Sequence, residues 1–134
     1  MNKLLSSQPV WHKQGMGLIR IIIGLFLIYH GKEVFDAAQM KEYTGWDNFK
    51  TATFLPYLGK GSEFVCGVLL CLGMFTRITS TIIIGTFLYI SFFVGAGKIW
   101  YDDQYPFMFV LMGFVFIFSG PGSFAFDNIL SEKK

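Results

Sequence analysis

Charge is scarce in this chain. Of its 134 residues only 15% are charged, against about 25% in an average soluble domain. The 11 basic and 9 acidic residues nearly cancel. That balance, with no basic patch interleaved with aromatics, excludes nucleic acid as a partner. Cysteine is scarce too: Cys66 and Cys71 are the two present. Five residues apart on a helix they point ~140° away from each other, cannot bridge, and lack CxxC spacing. They read as small apolar packing residues. Of the two histidines, His12 precedes the first apolar run, so bis-His haem ligation has no second ligand. Glu-x-x-His pairs, HEXXH, Walker A and GxSxG are missing. No metal, covalent nucleophile or intrinsic cofactor is therefore expected. The first 14 residues, MNKLLSSQPVWHKQ, hold no apolar core, so no cleavable signal peptide is expected.

Apolar residues, by contrast, are abundant. The chain is 53% hydrophobic and 19% aromatic, with mean hydropathy +0.50. A water-soluble domain of this length could not hide that much apolar surface. Four apolar runs predict four membrane-spanning helices, at about residues 15–33, 58–76, 78–97 and 105–119. The fold class they imply is all-α: an integral membrane four-helix bundle forming a single domain over residues 1–134. Between the first two runs lies KEVFDAAQMKEYTGWDNFKTATFLP, too polar to span and too aromatic for a disordered loop. It predicts an interfacial segment. Trp11, Tyr57, Trp100, Tyr101 and Tyr105 stand where an aromatic belt would lie. Basic residues divide six to five between the two sides, and the short tails place both termini on the cytoplasmic side.

Small and ionisable residues share faces of these runs. Gly17, Arg20, Gly24, Leu27 and Gly31 form one stripe, because seven residues return to within ~20° on a helix. Gly59, Glu63, Cys66, Leu70, Gly73 and Arg77 form a second. Small residues on a stripe let membrane helices approach closely, so Arg20 and Glu63 are expected to face other helices. Rise along the axis then sorts the charges into two layers. Arg20, Arg77 and Asp127 form a structural layer toward the N-terminal side, with Arg20 satisfied by Asp127 or by the carbonyls around Gly120-Pro121-Gly122. His30, Lys32 and Glu63 lie toward the other side, joined by Asp102, Asp103, Gln104 and Tyr105. Ionisable groups at membrane depth are either functional or register-fixing ion pairs; His30 with Glu63 is the pair where function competes evenly with structure.

The order of motifs carries a resemblance. An arginine opens the first helix, HGKEVF closes it, EFVCGVLLCLGMFTR forms the second, Tyr105-Pro106 opens the fourth, and GPGSFAFD lies near the C-terminus. Over about residues 15–130 this pattern resembles the DoxX family of small bacterial four-helix membrane proteins. Where that family often has Glu-Tyr-Pro, this chain has Gln104-Tyr105-Pro106, one carboxylate fewer. The resemblance implies a link to membrane redox processes, such as a small subunit of a quinone-linked oxidoreductase or an oxidative-stress system. At most it implies an accessory oxidoreductase subunit.

Three functions follow as expectations. The first is a membrane subunit, working with a redox partner protein, that binds quinone or another lipid-soluble molecule. His30, Lys32, Glu63 and Tyr105 would be its ligand-binding residues, and Phe26, Tyr29, Phe107 and Phe109 would flank the headgroup. The second is a non-enzymatic scaffold or assembly factor, in contact with lipid and with partner membrane proteins or a second copy of itself. The third, a small proton-coupled exporter, would require a Glu near the middle of the first helix, where Gly24 stands instead.

Overall fold

The structure, a computed structural model, describes residues 3–49 and 51–132. Lys50, Lys133 and Lys134, three of the charges used to orient the chain, lie outside the described residues. The first long helix, α1, runs His12–Gly31. A 3-10 turn, Lys32–Phe35, leads into the short α2, Ala37–Thr44. After a second turn come α3, Phe54–Leu72, and α4, Thr76–Tyr89, which winds on through a π turn at Ile90–Val94. Then follow α5, Gln104–Ser119, and α6, Phe126–Glu132. Among the described residues there is no strand.

Two stretches, Phe54–Leu72 and Thr76–Val94, are long and apolar enough to cross a membrane. α1 has 20 residues but carries Arg20 midway. α5 is apolar but has 16 residues, or about 24 Å, short of a ~30 Å hydrocarbon core. Outward-facing side chains on the long helices are apolar: Leu18, Leu25, Val65, Ile78 and Phe118 are all exposed. Surface of that kind belongs against lipid or another protein.

Packing of α1 on α3 is built on glycine. All five residues of the first stripe, Gly17, Arg20, Gly24, Leu27 and Gly31, are buried. A Cβ on Gly24 would strike the Gly67 carbonyl, and one on Gly67 would strike the Gly24 carbonyl. Gly31 meets the backbone of Glu63 and Phe64 in the same way. The two backbones touch, and dispersion between them replaces the hydrophobic effect that a lipid solvent does not supply. α4 and α5 pair similarly, with Gly113 against the Ser80 carbonyl and Ile84. Leu27, Cys66, Leu70, Ile83, Phe87, Val110 and Phe116 fill the space between the pairs.

The second stripe holds only in part. Glu63, Cys66, Leu70 and Gly73 are buried, but Arg77 is exposed. The reason is local. Gly73 takes a left-handed conformation, φ 69°, and closes α3: Met74 N donates to Leu69 O at 3.0 Å and Gly73 N to Leu70 O at 3.2 Å. That is the two-bond pattern of a helix-ending glycine. The turn is therefore Gly73–Phe75, and Arg77 belongs to α4, where the phase of α3 no longer applies.

Candidate functional site

The N-terminal polar layer resolves into a structural knot. Arg20 is fully buried, 0% exposed. Its Nε donates to Leu70 O at 2.8 Å, Nη2 to Phe124 O at 2.8 Å, and Nη1 to Ser123 O at 3.1 Å and to Pro121 O. Backbone carbonyls, not Asp127, thus take the guanidinium. Asp127 instead accepts from Phe75 N at 2.7 Å and Thr76 N at 2.8 Å, satisfying donors at the start of α4 that have no helical partner. Arg77 donates to Ile117 O at 3.0 Å from an exposed position. The three residues share one end of the fold without forming an ion-pair layer. They tie the 120–127 segment to α1, α3 and α4.

At the opposite end the helices enclose a cavity of about 620 Å³. Its walls come from the end of α1, the 32–49 segment, the start of α3, the end of α4 with its π turn, and the start of α5. Most of the lining is apolar or aromatic, including Trp46, Phe49, Phe87 and Phe109. Gly59 and Gly85 face it with open space where a Cβ would sit, so both widen it. His30, Glu63 and Tyr105 all line this cavity.

Lys32 does not. It lies one residue past Gly31, off the buried stripe, and is exposed with Nζ 4.3 Å from the centroid of the Tyr29 ring, three residues back. Of the aromatics expected at the headgroup, Tyr105 and Phe109 line the cavity, whereas Phe26 and Tyr29 lie on the exposed side of α1 and Phe107 packs on the core. Asp103 is occupied elsewhere: it accepts from Ala96 N at 3.0 Å and Lys98 N at 2.9 Å, closing the loop between α4 and α5. Asp102 is exposed.

The cavity holds charges that sequence reasoning did not assign. Glu63 is 5% exposed and its Oε2 lies 3.4 Å from Lys60 Nζ. The same ammonium lies 3.1 Å from Glu33 Oε2, which also accepts a 2.7 Å bond from Tyr43 OH. Burial alone would raise the Glu33 carboxyl, but bonds from Tyr43 and Lys60 and the Lys60 charge outweigh it and hold Glu33 below its usual value. Burial, reinforced by the bond to Glu33 and its charge, pushes Tyr43 up to about 12. The signal for Lys60 was present: it stands three residues before Glu63, one turn away on the same helix face. Glu33 and Tyr43 gave no such signal, because a chain reversal after α1 brings them back to α3.

An arginine knot at one end and a small-residue α1–α3 seam leading to a polar cavity are arranged as the motif order anticipates, and the family profile settles the matter by matching residues 15–96. The chain belongs to the DoxX family. The DoxX match covers α1 through α4 and includes Arg20, His30, Glu33, Lys60, Glu63 and Arg77. No curated protein and no solved structure matches the chain significantly.

Proposed function

We propose that this DoxX-family chain is a multi-pass protein of the bacterial inner membrane that holds a lipid-soluble molecule in the cavity. Its redox reading is that of an accessory membrane subunit in a quinone-linked or oxidative-stress system. The four long helices form the bundle, the 32–49 segment lies at the interface, and both termini face the cytoplasm. The observation that carries the reading is the 620 Å³ cavity itself, apolar and aromatic over most of its wall with His30, Lys60, Glu63 and Tyr105 on it. Its size falls in the range of small-molecule sites, and a few polar groups on an apolar wall are what orients an amphiphile. A quinone carbonyl would accept hydrogen bonds from Lys60 or Tyr105, and His30 and Glu63 are the groups able to exchange protons with it.

Mass spectrometry of lipid extracts from the purified protein, with an ultraviolet-visible spectrum of the same sample, tests this. A stoichiometric quinone or other isoprenoid supports it. Bulk phospholipid alone, with no chromophore, removes it in favour of a second reading, a scaffold that assembles partner membrane proteins or pairs with its own copy. One observation favours that second reading: Gly15 and Gly61 have open space where a Cβ would sit, and neither lines the cavity. Small residues left open on a membrane helix are places where another helix can approach.

A further inference from the structure

We propose that the cavity selects amphiphiles with an uncharged, hydrogen-bonding headgroup, that it rejects those ending in a carboxylate or phosphate, and that Glu63 with Glu33 sets this selection. The inference rests on the cavity-binding reading above.

Charge at the cavity wall carries the argument. Among the described residues that line it, Lys60 is the only lysine or arginine. Its ammonium is committed on two sides, 3.1 Å from Glu33 and 3.4 Å from Glu63. An ammonium has three N–H donors, so one remains for a ligand. That donor suits a carbonyl or hydroxyl oxygen. An anionic headgroup reaching for it would come up against Glu63 in a largely apolar wall, with the Glu33 carboxylate beside the ammonium just outside the lining, and there like charges repel and an unpaired ion is costly to desolvate. Other polar groups facing the cavity include His30, Tyr43, Trp46, Ser62, Thr86 and Tyr105, an imidazole, an indole N–H and four hydroxyls that satisfy a neutral headgroup. Lys32, one residue past the end of α1, is turned outward over Tyr29. Two carboxylates around one ammonium therefore make the polar end of the cavity a hydrogen-bonding site with no positive charge to spare. Phospholipids and fatty acids are disfavoured; quinones, quinols and long-chain alcohols share the accepted chemistry.

Trp46 lines the cavity and reports occupancy. A variant with Trp11→Phe and Trp100→Phe retains Trp46 as its sole tryptophan. In neutral detergent at pH 8 it is titrated with an ω-bromo alkyl alcohol and with the ω-bromo carboxylate of the same chain length, the bromine quenching tryptophan on contact. The alcohol is expected to quench at roughly tenfold lower concentration than the carboxylate, the effect of one close like charge partly screened. Introducing Glu63→Gln should narrow that ratio several-fold, and Glu33→Gln should shift it the same way; the Glu33 variant decides if the Glu63 variant does not fold. Equal quenching by both probes in the parent, or a ratio unmoved by the substitutions, overturns the selection while leaving ligand binding intact. Quenching by neither probe overturns the cavity-binding reading itself, and the selection with it.

Discussion

At the scale of single residues, Arg20 midway along α1 and His30 at its end have opposite duties. Four carbonyls from α3 and the 120–125 segment share the Arg20 guanidinium. Its planar fork suits that many acceptors, which an ammonium could not reach together. Replacing Arg20 with Leu leaves Leu70 O its bond from Gly73 N but takes the donor from the Pro121, Ser123 and Phe124 carbonyls. It should cost about 1–3 kcal/mol for each carbonyl left unsatisfied, read as a lower unfolding temperature in detergent. An unchanged unfolding temperature would show that the knot is not a structural tie. His30, exposed at the cavity, makes an edge contact with its chain neighbour Tyr29 at 5.6 Å, and among the described residues its side chain makes no hydrogen bond. His30→Ala should keep its unfolding temperature and lose about 1 kcal/mol of ligand affinity, the worth of one ordinary hydrogen bond. Retention of ligand on purification measures this.

At the scale of elements, the 32–49 segment is held to α3 through polar side chains. Glu33, Tyr43 and Lys60 form that latch, and its response to pH follows from the direction of each shift. Glu33 is held below its ordinary value, so its contribution is present above the unfolded carboxyl pKa and fades as pH falls through the lower folded value. Tyr43 is raised to about 12. Its contribution is complete below the phenol's ordinary value of 10.0 and is lost as pH rises through about 12. The protection of α2 against hydrogen exchange, taken relative to the intrinsic rate at each pH, should therefore fall at the acid end while α1 and α3 stay protected, and Glu33→Gln should remove the acid step. Protection of α2 that is flat with pH would mean that the latch does not hold the segment. The stripe of α1 was legible in the sequence because glycine spacing and helix period agree. The stripe of α3 was legible only as far as Gly73, where a left-handed turn reset the phase.

At the scale of the whole molecule, Gly59 and Gly85 widen the cavity between the helices. Gly85 lines it with open space around its Cβ position. Gly85→Leu should fill part of the cavity, keep or raise stability by about 1 kcal/mol through better helix propensity, and sharply reduce co-purified ligand. Ligand retained at the parental level would place the binding site elsewhere. The same substitution at Gly24 or Gly67 should instead force α1 from α3, since backbone atoms occupy the space. Two glycines of one composition thus have opposite tolerance, decided by what stands opposite each.

The sequence by itself determined that the chain is helical, apolar and DoxX-like. It also determined that Arg20 and Glu63 face inward, because period, glycine spacing and hydropathy are properties of neighbours along one helix. Tertiary structure decided which partner each charge takes. It chose carbonyls over Asp127 for Arg20, turned Lys32 outward, and brought Lys60 and Glu33 to Glu63. Those choices depend on how a chain reversal and a three-residue turn place one helix against another, and hydrogen-bond geometry is set across that gap rather than along the chain.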